Sequence, residues 1–289
     1  ALRTPALRLR RARAALLVDY VAFVRSDVVQ MMRNFYGTVS VETSGSGDDA
    51  RLRLVHGVIA HGEQFVAGER RRWPTTYYGE TSGVGRTIAA IRDASGAPQR
   101  IGLIGLGTGT LLTYGRAGDR FRVYELNPQV LEVARSQFTY LVDSAAQVEV
   151  TLGDARLSLE RAPPQRFDLL AVDAFSSDAI PTHLMTREAL QVYLQHLAPG
   201  GAIAFHISNR YLALAPVVGQ LASEAGLQAV RVIDEPPADS HLYRSDWVVV
   251  TADDVLAQRL RDGGGQEVPP QPGLRPWTDD YNNLFQVLK

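Results

Sequence analysis

The stretch IGLIGLGTGTLL, residues 101–112, decides the fold of this chain. An apolar run leads into Gly105, Gly107 and Gly109, and apolar residues resume directly after them. Glycine is required where a backbone turns tightly, or where a ligand approaches it with no Cβ in the way. The pattern therefore predicts a buried strand, a glycine loop that opens a helix, and a ligand against that loop. The alternative is that the glycines only close a strand–helix turn.

The residues around this loop narrow the class of ligand. The order G-x-G-x-G, with Thr108 between the second and third glycines and no Lys or Arg inside, matches neither a dinucleotide loop nor a phosphate-binding G-x-x-x-x-G-K loop. Glu125 follows Gly105 by 20 residues in VYELN, where an acid either reaches ribose hydroxyls or is an exposed carboxylate at a strand end. Asp154 and Ala155 follow the next strand, where the Asp receives an adenine amino group, caps a helix, or does both. These spacings predict an adenosine compound without phosphates, of the S-adenosyl-methionine type.

The pattern of apolar and polar residues changes twice along the chain, which predicts three segments. Residues 1–33 contain a basic cluster and then apolar residues at helical spacing, so we expect an amphipathic helix. Residues 34–80 alternate between apolar and polar and predict a small antiparallel β-domain built on a hairpin. Residues 81–289 alternate short apolar runs with helical stretches. That pattern is typical of the α/β class and predicts a Rossmann-like, doubly wound parallel sheet with the nucleoside at the carboxyl ends of its strands.

Composition excludes several classes of function. A net charge of −1 gives no basic excess for nucleic acid. The absence of cysteine rules out disulfides and thiolate metal sites, and the six histidines lack the spacing of a zinc enzyme, so we expect no metal. No apolar run reaches the roughly 18 residues that a membrane span needs.

Two acids mark the end of the predicted fourth strand, in AVDAFSSDAIP. Asp173 ends the apolar run and Asp178 follows after a serine-rich turn. Two carboxylates beside a bound nucleoside suit a cationic substrate, because one can accept a proton from an amine while the other holds a distant ammonium. The alternative is that Asp173 caps the turn and Asp178 is solvated. Further candidates for the same crevice are Tyr77, Tyr78, Tyr243, Asp279 and Asp280.

From about residue 36 to residue 250 the chain resembles the polyamine aminopropyltransferases, the spermidine synthase family. It most resembles a version found as a soluble domain behind a bacterial membrane segment. The resemblance rests on YGTVSVE, LRLVHGVIAHG, YYGE, GLGTGT, YELN, GDA, AVDAFSSDAIP and LYRSDW. Two positions depart from the family: His56 and Thr108 each stand where it has an Asp, and the Asp of the loop contacts the amine of the donor.

The resemblance implies a transferase whose catalytic Asp is Asp173, with Tyr78 lining the amine pocket. Glu125 and Asp154 would then hold the adenosine, and Asp178 and Tyr243 would lie on the amine side. The family transfers an aminopropyl group from decarboxylated S-adenosyl-methionine to an amine and releases methylthioadenosine.

Several alternatives and expected partners accompany this interpretation. The neutral side chain of Thr108 tolerates an intact methionine tail, so the donor is decarboxylated S-adenosyl-methionine or S-adenosyl-methionine itself. The remaining alternatives are a methyltransferase and a non-catalytic polyamine- or nucleoside-sensing domain of a membrane transporter. We expect a small amine as substrate, a homodimer, and a cytoplasmic location or one at the cytosolic face of the inner membrane, tethered to a membrane segment.

Overall fold

A computed structural model describes residues 27–57, 59–174 and 181–289. It confirms the predicted class, because a small antiparallel sheet precedes a large α/β sheet. The small sheet has the strand order β1-β2-β3-β4 and is formed by β1 (Val28–Asn34), β2 (Gly37–Ser44), β3 (Arg51–His56) and β4 (Ile59–Phe65). All its neighbouring strands are antiparallel, as the alternation of apolar and polar residues predicts.

The large sheet contains eight strands in the order β12-β10-β11-β9-β8-β5-β6-β7. Its strands are β5 (Arg100–Ile104), β6 (Arg120–Glu125), β7 (Gln147–Leu152), β8 (Phe167–Val172), β9 (Leu197–His206), β10 (Gln228–Asp234), β11 (Ser245–Thr251) and β12 (Gln266–Glu267). Five of them, β5 to β9, run parallel. The chain leaves β5 towards β6 and β7 on one side and returns to β8 on the other, so a topological switch point lies between β5 and β8.

Helices cover both faces of this sheet. They are α1 (Gly83–Ser95), α2 (Pro128–Ser136), α3 (Tyr140–Asp143), α4 (Ala155–Arg161), α5 (Arg187–Gln195), α6 (Ala215–Glu224) and α7 (Asp254–Asp262). One buried cluster joins α1, α2 and α7 to one face and also takes in Val39, Val41 and Leu54 from the small sheet. A second cluster joins α4, α5 and α6 to the other face. The small sheet is therefore packed against the same core as the glycine loop.

Two expectations are corrected. The helix predicted over residues 1–33 is wrong at its end, because Val28–Asn34 form a strand whose side chains alternate between partly buried and exposed; residues 1–26 lie outside the described residues. Pairing with β2 and a β-branched Val pair at its start favour the strand there. The large sheet is also not parallel throughout, since β11 pairs antiparallel with β9 and with β10.

Candidate active site

A cavity opens at the switch point, where β5 and β8 end. It encloses roughly 900 Å³ including the open space at its mouth. Predicted residues that line it are Tyr78, Gly105, Gly107, Glu125, Asp154, Ala155 and Asp173. Positions 105, 154 and 173 each follow a parallel strand and position 125 ends one, so the sheet brings all four to one edge as predicted.

The glycine loop is shaped by close approach of neighbouring backbone. Gly105 has φ +98°, and a Cβ there would lie 2.3 Å from the carbonyl oxygen of Asp173. Gly107 has φ +54°, and its Cβ would lie 2.6 Å from the carbonyl oxygen of His61. Both positions need glycine because β8 and β4 press on the loop. These contacts alone support the structural alternative for the glycines, and the cavity beside the loop leaves room for a ligand as well.

Thr108 and Gly109 are not among the described residues that line the cavity. The Thr108 side chain is buried; its hydroxyl lies 2.8 Å from that of Thr110 and would contact any Cβ at Gly62. Gly109, at φ +90°, precedes a short 3₁₀ helix over Thr110–Tyr114. The expectation that the Thr108 side chain contacts the donor is therefore corrected, because packing against the small sheet turns it away.

Glu125 is positioned by the loop itself. Its two carboxylate oxygens accept hydrogen bonds from the backbone N–H of Leu106 at 2.9 Å and of Asn127 at 2.7 Å. Burial raises the pKa of this carboxyl, while the backbone donors oppose that shift. The side chain is 7% exposed and lines the cavity, so the alternative of a solvated carboxylate is excluded. Each oxygen retains a lone pair that a ribose hydroxyl can use.

Asp154 serves as a helix cap, as one of the two sequence interpretations predicts. Its Oδ1 accepts a hydrogen bond from the N–H of Leu157 at 2.8 Å, at the start of α4. Its Oδ2 lies 2.9 Å from Nε2 of His183, a residue that also lines the cavity. Sequence reasoning missed His183 because the pair joins positions 29 residues apart through a loop.

Asp173 lines the cavity and is held by two side chains. The Tyr78 hydroxyl donates to its Oδ2 at 2.5 Å, and Nδ1 of His206 lies 2.7 Å from its Oδ1. A carboxylate only accepts, so His206 carries its proton on Nδ1. Its Nε2 lies 2.8 Å from the Ser208 hydroxyl, and the Ser208 oxygen accepts a hydrogen bond from the N–H of Asp246. This chain of bonds fixes the carboxylate in one orientation.

Tyr78 acts here only as a donor. Burial, followed by the negative charge of Asp173, holds the pKa of its hydroxyl well above 10. His206 stacks on Trp247 with ring centroids 4.5 Å apart, which fixes its ring plane. Sequence reasoning missed His206, although it ends β9, the parallel neighbour of β8. A polar residue at the carboxyl end of an adjacent parallel strand was the signal that could have found it.

Tyr77 and Tyr243 lie behind Tyr78 and not on the cavity wall. The Tyr77 hydroxyl donates to the carbonyl of Ala60, and the Tyr243 hydroxyl donates to Glu63 at 2.5 Å. Glu63 is fully buried and also binds Arg51 and Arg53. Its charge is therefore compensated within the protein. The expectation that these two tyrosines contact an amine directly is corrected to a supporting role.

The remaining acids differ from the expectation. Asp178 lies outside the described residues. Asp280 is exposed and does not line the cavity. Asp279 pairs with Arg156, which it contacts at 2.5 Å through Oδ2. Residues 27–57, 59–174 and 181–289 include no group of three or more side chains suited to a metal ion. In those same ranges, no helix has the length and apolarity to cross a bilayer.

Comparison with known proteins finds one sequence match over part of the chain. No family model matches it. Over 111 residues it is 34% identical to the polyamine aminopropyltransferase of Vibrio vulnificus. Over this segment the chain is similar to a polyamine aminopropyltransferase. The match covers 37% of this chain and 36% of the Vibrio protein, so it spans about a third of each.

Solved structures extend the similarity of fold to most of the chain. A probable spermidine synthase from Corynebacterium glutamicum superposes with a TM-score of 0.61 at 18% identity, covering 88% of this chain and 98% of that one. Spermidine synthase from Thermotoga maritima gives 0.56 at 11% identity, covering 88% and 82%. At these identities the comparison establishes a shared fold, and it confirms the one predicted from the sequence.

Proposed function

We propose that this protein is a spermidine synthase-like transferase that moves an alkyl group from an adenosyl sulfonium donor to an amine. The observation that carries the proposal is Asp173, oriented by Tyr78 and His206 at the wall of a cavity that also presents Glu125 and Asp154. The relative in Vibrio vulnificus, named a polyamine aminopropyltransferase, supports the same reaction class.

The adenosine end of the donor would lie between Glu125 and Asp154. Glu125 has acceptor capacity left for the ribose hydroxyls, and the backbone around Ala155 lies where an adenine edge would reach. The sulfonium would then lie near Gly105 and Gly107, where the absence of Cβ atoms allows close approach. No phosphate site is required for such a ligand.

Asp173 would receive the proton that the reaction releases. A neutral amine attacks the carbon next to sulfur, a C–N bond forms, the C–S bond breaks, and the sulfonium leaves as a neutral thioether. The new ammonium then loses one proton, which Asp173 accepts or passes to water. Tyr78 and His206 leave one lone pair on each oxygen for that proton, and they hold the carboxylate against rotation.

We propose decarboxylated S-adenosyl-methionine as the donor and methylthioadenosine as the product. A spermidine synthase of the same fold has been solved with the transition state analogue AdoDATO, with a TM-score of 0.54 at 11% identity. That structure supports a related ligand in the corresponding cavity here. The amine acceptor, the homodimer, and the membrane tether with its cytosolic location stay predictions.

A methyltransferase is the second candidate, and one observation favours it. The loop residue Thr108 offers no carboxylate, and its hydroxyl is used within the protein. The donor's tail would then need no net positive charge, as in intact S-adenosyl-methionine.

Product analysis separates the candidates. The protein is incubated with decarboxylated or intact donor and a panel of mono- and diamines, and the adenosine products are measured by mass spectrometry. Methylthioadenosine with an alkylated amine supports the first proposal, and S-adenosyl-homocysteine supports the second. Neither product with any amine would reject a transferase and favour the sensing domain.

A further inference from the structure

His61 is a partly buried cavity residue that the proposed reaction does not yet use. It lies on β4, and its side chain lines the cavity together with Tyr78 and Asp173. Its Nε2 is buried and has no hydrogen-bond partner among the described residues. Buried polar atoms are almost always paired, so an unpaired one at a cavity wall indicates a group that a ligand satisfies.

The charge state of His61 follows from its surroundings. Burial, together with smaller effects of the nearby His56 and His206, lowers the pKa of the imidazole to about 4. The carboxylate of Asp173 opposes this shift but does not overcome it. The ring of His56 lies 5.7 Å away and binds the carbonyl of Tyr36. At neutral pH, His61 therefore offers a hydrogen bond and no charge.

The position of His61 is fixed by the glycine loop. Its carbonyl presses on Gly107, and the next residue, Gly62, packs on Thr108. The loop residue that carries an Asp in the aminopropyltransferases is thus covered by β4, and the His61 side chain is the polar group that β4 presents to the cavity. His61 lies near Asp173 in the cavity, where the donor's tail would extend.

The carboxylates of the described cavity wall all accept hydrogen bonds from groups of the protein. Glu125 binds two backbone N–H groups, Asp154 binds one N–H and His183, and Asp173 binds Tyr78 and His206. All three keep lone pairs but are tied to donors within the protein, and Asp173 is the proton acceptor of the proposed reaction, so none of these residues is reserved for a cationic tail. A charge-assisted hydrogen bond to an ammonium would be stronger, but His61 offers the donor's tail only a neutral hydrogen bond.

We propose that His61 binds the far end of the donor's tail, and that the site for this reason accepts an intact amino-acid tail about as readily as a decarboxylated one. The inference rests on the proposed function, since it assumes an adenosyl sulfonium donor. It assigns His61 as a residue that determines donor specificity.

Calorimetric binding of three adenosine compounds to the full chain tests this inference. The compounds are methylthioadenosine, which lacks the tail, decarboxylated S-adenosyl-methionine and S-adenosyl-methionine. We expect His61→Ala to weaken both tailed compounds roughly three- to tenfold, the worth of one neutral hydrogen bond, and to leave methylthioadenosine unchanged. His61→Asp should shift the ratio of the two affinities about tenfold towards the decarboxylated, cationic tail.

His183→Ala is the matched control, because His183 lies at the adenosine end beside Asp154. It should weaken all three compounds by the same factor. The inference would be overturned if His61→Ala bound each tailed compound as tightly as the wild type does. It would also be overturned if the wild type preferred the decarboxylated compound by more than about a hundredfold. If the wild type bound none of the three, the proposed function itself would fail, which is a different result.

Discussion

The neutral state of partly buried His61 makes a quantitative prediction about stability and pH. The imidazole has a pKa of about 4 in the folded protein and about 6.5 when unfolded. The unfolded state therefore binds the proton more tightly, and the folded state loses stability as the pH falls below 6.5. Integration of this difference gives a loss of roughly 2 kcal/mol between pH 7 and pH 5, most of which appears below pH 6.5.

The assay is urea unfolding of the wild type and of His61→Asn at pH 7 and pH 5. Asn keeps a polar side chain at the position but does not titrate. From pH 7 to pH 5, the free energy of unfolding of His61→Asn should therefore fall by roughly 2 kcal/mol less than that of the wild type. His196 and His241 also have lowered pKa values, but they are common to both proteins and cancel in the difference. Parallel pH profiles of the two proteins would refute the assignment of His61 as a partly buried neutral group.

Three further substitutions test other parts of the structure. Tyr78→Phe removes only the hydroxyl that binds Asp173, so kcat/KM should fall roughly 10- to 100-fold, the cost of one hydrogen bond to a charged group, with little change in methylthioadenosine affinity. Glu63→Gln leaves two partly exposed arginines without their buried partner, and urea unfolding should show a loss of about 2 to 3 kcal/mol, somewhat below that of a wholly buried pair. Gly105→Ala places a methyl group against the Asp173 carbonyl and should abolish methylthioadenosine binding, measured by calorimetry. Its control is Gly226→Ala, at φ +70° with open space around it, which should cost only about 1 to 2 kcal/mol of stability and leave binding intact.

The glycine loop and the acids after successive strands were predictable because their signals are local. A continuous apolar run followed by glycines or an acid indicates a strand end in a parallel sheet, and all such ends meet at one edge. Gly105, Glu125, Asp154 and Asp173 all line the cavity for this reason.

The residues that sequence reasoning missed or misplaced depend on contacts between distant segments. His206 reaches Asp173 only because β9 pairs with β8, and Thr108 turns from the cavity only because β4 packs on the loop. The Tyr243 hydroxyl donates its hydrogen bond to Glu63, which lies 180 residues away in the sequence. Residues 28–33 of β1 were predicted as the end of a helix because their apolar spacing fits both periods, and pairing with β2 decides between them.

The most direct test of the account is Asp173→Asn, measured for both turnover and binding. If Asp173 accepts the proton of the attacking amine, turnover should fall by roughly 10²- to 10⁴-fold, because an amide cannot accept that proton. Methylthioadenosine should still bind with near wild-type affinity, since Glu125 and the glycine loop are unchanged. Turnover close to that of the wild type, or loss of methylthioadenosine binding in a variant that melts normally, would contradict the proposed role of Asp173.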